Sequence, residues 1–390
     1  MIKKFLLQNN YLLLILFTTF IISNYTNLPI LVLPVSIIIC FLTKKSKIII
    51  NGKIDSDLAL LTFVFLSYIL FALFNNNATI VTCILRCVPS IILFAIGYNL
   101  TQKNKDNNYI YFILLLTVSL TGIINIYYGL IDTIENGFIV PERMFGDDRD
   151  DFEFSTSLIT SQVIRTIACV GLFFDNPSYI DNKRLRWFGI ILAILGELCA
   201  MHYVSRAGIL IMALSVIISL LYRFEFNFRT IFFILVTLFV YFYFLQSDAY
   251  AAFELKNEVG GDISTGNGRD VRMQYWLEEI RENPLGIANW KERYNQYSWA
   301  HNFWIDFTKE CGWIPGFALV LFSLRNLYYI ICIAFGDKVN KSIAQLILLL
   351  GISYTLTLFT EPTMQGTPLL MFSYFMFCGI VKGTYINKLR

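Results

Sequence analysis

The chain has 390 residues, of which 56% are hydrophobic and 15% charged, and its formal net charge is +3. That leaves too little polar surface for a soluble globule of this length, so the composition is that of a polytopic membrane protein. The small, dispersed positive charge excludes a nucleic-acid binder, whose phosphate-tracking surface needs clustered Lys and Arg.

In chain order, apolar stretches long enough for a hydrocarbon core of about 30 Å recur at approximately 8–23, 28–43, 57–74, 79–98, 109–130, 157–175, 187–203, 207–222, 230–246, 313–333, 343–360 and 367–382. They predict an all-α, polytopic integral membrane protein of about twelve transmembrane helices. A long helical loop, 247–312, falls between the ninth and tenth. The first stretch reads as a span rather than a signal peptide, because no small-residue cleavage site follows Tyr11 and further spans come after it.

Short basic loops stay on the cytoplasmic side of a membrane. Lys3 and Lys4, Lys44, Lys45 and Lys47, Lys103 and Lys105, Lys183, Arg184 and Arg186, Arg223 and Arg229, Lys338 and Lys341, and Lys388 and Arg390 all fall on one predicted face. Both termini are therefore expected in the cytoplasm. The opposite loops are poor in basic residues, and one carries Asp147, Asp148, Asp150 and Asp151. The loop from Gln246 is expected outside.

Seven of the eight cysteines lie in predicted spans, and Cys311 alone lies near an exposed segment. Neither a disulfide framework nor a CxxC metal site is indicated. The two histidines, His202 and His301, are too few for a histidine-cluster metal site, and no GxxxxGK[ST] or GxGxxG loop is present. No metal and no cofactor are expected.

Three external segments carry unusual residues. Arg206 follows Ser205 in the tight connection between the seventh and eighth spans. It reads either as a cation snorkelling to the lipid headgroups or as part of a site. The segment Arg269 to Glu282 places Met273, Trp276, Leu277 and Ile280 at the i, i+3, i+4, i+7 spacing of an amphipathic helix that Asn283-Pro284 would stop. Arg269 and Arg272 sit in its first turn, where cations oppose the macrodipole at a cost of about 0.3–1 kcal/mol. A bound phosphate would account for them, and so would pairing with Asp270 or Glu254. His301 precedes Asn302, a potential cap for a helix starting at Phe303. It is either part of a hydrogen-bonded turn or a general base, for which an ordinary pKa of about 6.5 is suited. Gly312 can supply a left-handed cap and Pro315 can start the next helix.

The order SRAGIL after a span, GRDVRMQYWLEEIRENPLGIA in a long external loop, and HNFWIDFTKECGWIPG leading into the next span resembles the O-antigen polymerase and O-antigen ligase superfamily of bacterial envelope polysaccharide assembly. With the span layout, the resemblance covers essentially the whole chain. It implies one transmembrane glycosyltransferase domain over 1–390, with 247–312 as its periplasmic catalytic loop, in the bacterial inner membrane. The donor it implies is a glycan on undecaprenyl diphosphate, transferred to a glycan acceptor without metal or nucleotide sugar. Residue by residue, Arg206 matches the Ser-Arg position and Arg269 the Gly-Arg position, both implied to hold the diphosphate. His301 matches the His-Asn position, implied to be the base for the acceptor hydroxyl. Arg272, Ser205, Asn302 and Trp276 are expected around the substrate, and a chain-length regulator and a flippase are the expected protein partners.

Arg86 and Arg165 lie inside spans, where a charge costs about 2.5–3.5 kcal/mol and so faces a partner or a cavity. Glu197 is an available partner for Arg165, and either arginine is otherwise a substrate contact. Arg143 is a contact to the acceptor glycan or a solvated charge. Trp276, Trp290, Trp299 and Tyr294 are candidates for sugar stacking as well as ordinary interfacial aromatics. Within the superfamily, the Gly-Trp-Ile-Pro-Gly run and the compact loop favour a polymerase over a ligase that moves the glycan to lipid A core. A flippase or other secondary transporter is the reading from another class, against which stand the lack of repeat symmetry and the concentration of unusual residues in one external loop. No filter repeat supports a channel.

Overall fold

The computed structural model of the protein describes residues 55–102, 269–293, 299–360 and 368–389, with isolated helical positions between 111 and 239. Among the described residues all regular structure is α-helical: α1 (Ser56–Phe74), α2 (Ile80–Gln102), α3 (Arg269–Glu282), α4 (Trp290–Arg293), α5 (Phe303–Cys311), α6 (Trp313–Phe335), α7 (Lys341–Thr360) and α8 (Pro368–Leu389). These residues form two compact units. The first takes in α1 to α6 and α8, and the second most of α7 with the helical positions from 114 to 239.

Three of these helices, α1, α2 as far as Thr101, and α6, are long and apolar enough to cross a membrane. The described residues are therefore those of an all-helical membrane protein. The three helices match the spans expected at 57–74, 79–98 and 313–333, while α7 and α8 cover those at 343–360 and 367–382. Isolated described positions within 109–130, 187–203, 207–222 and 230–246 are helical, and the spans at 8–23, 28–43 and 157–175 lie outside the described residues.

In α1, Asp55 caps the first turn by accepting from Asp57 N and Leu58 N. Leu61, Val64, Phe65, Tyr68 and Ala72 form its buried face, whereas Phe63, Leu66, Leu70 and Phe74 are exposed. A helix apolar on both faces suits a bilayer rather than water. α2 and α8 approach closely because small residues meet at their contact: a Cβ on Gly97 would meet the α8 backbone at Met376, and one on Gly379 the α2 backbone at Phe94. Such small-residue contacts are the usual means of tight packing between helices in lipid. Thr101 Oγ1 adds a 3.2 Å hydrogen bond to Ile380 O.

Near the start of α1, a polar network built on the buried Asp57 and Lys382 and the partly exposed Arg325 joins α1, α6 and α8. Asp57 pairs with Arg325 at 2.6 Å and with Lys382 at 2.5 Å, and it accepts a 2.8 Å hydrogen bond from the Tyr329 hydroxyl. Lys382 donates to Tyr329 Oη at 2.9 Å. The cations thus neutralise a carboxylate that could not be left alone in an apolar bundle.

Candidate functional site

At the other end of α1, the turn into α2 holds the segment that carries the candidate residues. Asn75 donates through Nδ2 to Leu285 O at 2.8 Å, and Asn77 through Nδ2 to Ile287 O at 2.8 Å and to Glu310 O at 3.0 Å. The backbone joins in: Asn289 N bonds to Asn75 O, Ile287 N to Lys309 O, and Trp313 N to Pro284 O. Residues 283–289 therefore lie pinned between the α1–α2 turn, the end of α5 and the start of α6. The expected stop at Asn283-Pro284 is where α3 ends.

Gly312 joins α5 to α6 with φ 83° and ψ −176°. This is positive-φ backbone of the extended kind, essentially restricted to glycine, rather than the left-handed helical cap expected from the sequence. Pro315 sits in the first turn of α6, where its missing N–H leaves no helical bond unmade.

The core of the site is a lysine inside a ring of indoles. Lys309 Nζ lies 3.7 Å from the centre of the Trp290 ring, 4.4 Å from Trp276 and 5.0 Å from Trp299. It also makes a 2.8 Å ion pair with Asp306 Oδ1, and both side chains are fully buried. Burial holds the Lys309 ammonium below the usual lysine range, with the Asp306 carboxylate acting in the opposite direction. The negative ring faces offset part of the lost hydration, each such contact being worth about 2 kcal/mol or more when desolvated.

Asp306 does a second job. Its Oδ1 accepts from Ala300 N at 3.0 Å and its Oδ2 from Asn302 N at 3.2 Å, so the carboxylate brackets residue 301. His301 lies between these two bonds with φ 52°, an uncommon conformation for a residue with a Cβ. Asn302 is the expected cap of α5, its Oδ1 accepting from Trp304 N at 3.1 Å and Ile305 N at 3.2 Å.

The face of α3 turned to this core is set by Trp276 and Ile280, both buried with Ile287, Trp290 and Ala300 in one cluster. Leu277, expected on that face, is 48% exposed. Trp276 packs edge-on against Trp290 and under the Lys309 ammonium, with none of its surface exposed, so it serves this core rather than a sugar ring. Arg272 precedes Trp276 by one turn and is half-buried. Helical spacing puts it on the same side of α3 as Trp276. Arg269 begins α3, and its side chain lies outside the described residues, as do Arg206, Ser205, Arg143, Arg165 and Tyr294.

The chain matches no protein-family model and no curated protein.

Arg86, half-buried on α2, shares a face with the buried Cys83 and Cys87. Glu197 is buried, and its suggested partner Arg165 lies outside the described residues. Cys311, expected near an exposed segment, is fully buried, and burial with the nearby Glu310 charge pushes its thiol well up. It is no nucleophile in that state. No cluster of His, Cys, Asp and Glu able to hold a metal occurs among the described residues.

No local pattern in the sequence singles out Lys309, Asp306, Glu310 or the Asn75–Asn77 pair. The sequence shows only the adjacent Lys309 and Glu310 on a short helix rich in aromatic residues, and their inward placement follows from the packing of Trp276, Trp290 and Tyr68 around them.

Proposed function

We propose that the protein is a lipid-linked glycan transferase, a surface-polysaccharide polymerase joining undecaprenyl-diphosphate-linked repeat units at the periplasmic face of the bacterial inner membrane. In this reading about twelve spans hold the protein in the bilayer with both termini cytoplasmic, and residues 247–312 form the external catalytic loop. The observation that carries it is the shared core of the two candidate segments: Trp276 and Ala300 lie in one buried cluster, with Arg272 one turn before the first and His301 directly after the second. In this reading the start of α3 and residue 301 are tied to one packed core.

The chemistry is a direct displacement. The acceptor hydroxyl oxygen forms a bond to the donor's anomeric carbon as the bond from that carbon to the diphosphate oxygen breaks. His301 takes the hydroxyl proton, and Arg269, Arg206 and Arg272 stabilise the charge that develops on the departing lipid diphosphate. With no enzyme nucleophile the anomeric configuration inverts.

Deletion of the gene in its host, followed by gel separation of the surface polysaccharide and extraction of the lipid carrier, tests the assignment. Single repeat units on the polysaccharide anchor are expected. Long glycan stranded on the carrier would indicate a ligase instead, and repeat units trapped on the cytoplasmic leaflet a flippase. Complementation with Arg269→Ala or His301→Ala is expected to fail.

A further inference from the structure

The Asp306–Lys309 pair is an expensive arrangement to bury, since two charges leave water for a site with no exposed surface. The ion pair by itself adds little stability once that desolvation is counted, so the role of the charges is to be sought in what they hold. Their connections supply one. Asp306 uses both oxygens on the amides flanking His301, at 3.0 Å and 3.2 Å, while the Lys309 ammonium is 2.8 Å from the oxygen that receives Ala300 N. The same ammonium is caged by Trp276 of α3, Trp290 of α4 and Trp299, the residue next to Ala300. Any shift of α3 against α5 must therefore disturb the cage, then the carboxylate, then the backbone on either side of residue 301.

We propose that Asp306 is a positioning residue for the His301 imidazole, oriented by Lys309 in its three-indole cage, so that the base and the arginine-bearing helix α3 keep a fixed register. The proposal rests on the reading of His301 as the base. Asp306 touches no substrate in this role; it fixes the backbone from which the imidazole projects and holds residue 301 at its positive φ.

The test exploits a chain with two histidines. In full-length, detergent-purified protein carrying His202→Gln, isotope-labelled histidine gives one ring signal, that of His301. Adding Asp306→Asn is expected to move or broaden this signal and to lower kcat for glycan transfer by about tenfold or more, with KM within about twofold. A folded Asp306→Asn variant with the parent's His301 signal overturns the proposal, whatever its activity. A folded His301→Ala variant that transfers glycan at the wild-type rate, while Asp306→Asn still moves the signal in the parent, sinks the base reading and leaves the positioning intact.

Should Asp306→Asn not yield monodisperse protein, the double variant Asp306→Asn/Lys309→Met removes both buried charges. It is expected to fold with a displaced His301 signal, and the parent's signal in it counts against the proposal. Hydrogen exchange on the unsubstituted protein needs no variant. Slow exchange at the Ala300 and Asn302 amides is expected, and exchange at open-loop rates contradicts the clamp.

Discussion

The Tyr68 hydroxyl on α1 donates a 2.6 Å hydrogen bond to Glu310 Oε2 on α5, joining a membrane-capable helix to the short helix that follows His301. Trp290 Nε1 donates to the other oxygen of the same carboxylate at 3.2 Å. Consecutive residues of α5 thus serve two anchors, Lys309 toward the indole cage and Glu310 toward α1.

Tyr68→Phe leaves a buried carboxylate oxygen short of one donor. The expected loss is about 1–3 kcal/mol, read as a fall in the unfolding midpoint of the detergent-purified protein. Glu310→Ala strands both the Tyr68 hydroxyl and the Trp290 N–H, so its midpoint is expected to fall further. Equal midpoints for Tyr68→Phe and the wild type would show that this bond does not hold α5 to α1.

Gly312→Ala places a Cβ 2.5 Å from Pro284 O and from Leu285 C in a conformation only glycine adopts freely. Backbone strain alone is of order 1–3 kcal/mol, and the overlap with rigid backbone adds to it. A sharp drop in the yield of monodisperse protein is expected. Wild-type yield and midpoint would contradict the packing of Pro284 and Leu285 against this turn.

The α3 helix and its stop before Asn283-Pro284 were legible because periodicity and a helix breaker are local signals. Gly312 was legible as a turn for the same reason, though not its φ 83° and ψ −176° pair, which Pro284 and Leu285 dictate from outside. The tryptophans were not legible as a cage. An indole reads alike whether it faces a sugar, a lipid headgroup or Lys309, and only tertiary packing chooses among them. The Asp57–Lys382 pair spans most of the chain's length, and nothing local announces it.

Asn302→Ala removes the cap of α5 and is expected to cost about 1 kcal/mol of stability. Asn302→Asp keeps an acceptor for Trp304 N and Ile305 N but sets a second buried carboxylate beside Asp306, so it is expected to recover only part of that stability. A lost transfer rate at unchanged stability would assign the Asn302 side chain to the substrate instead.

Lys309 gives the protein a pH signature. Because burial depresses its folded pKa, the folded chain binds fewer protons than the unfolded chain between that value and the unfolded one of about 10.4. Stability from this group therefore rises with pH in that window, while below it the full cost of burying the charge is present. The stability of wild type relative to Lys309→Met is expected to increase as pH rises toward about 10.4. A difference that stays flat across the alkaline range would mean that Lys309 titrates as an ordinary lysine.

Asp57→Ala leaves Lys382 buried without its nearest carboxylate and Arg325 without its 2.6 Å partner. Removing one member of a buried ion pair typically costs about 3–5 kcal/mol, so poor recovery of folded protein is expected. Recovery at wild-type levels would indicate that the network is solvated.

The most direct test of the central claim is glycan transfer by the purified protein in proteoliposomes containing undecaprenyl-diphosphate-linked repeat units, with chelator present and no nucleotide sugar. Extended, carrier-linked glycan of inverted anomeric configuration is expected, formed at least about a hundredfold more slowly by His301→Ala. Wild-type rates from a folded His301→Ala variant, or a product linkage that retains configuration, would contradict that claim.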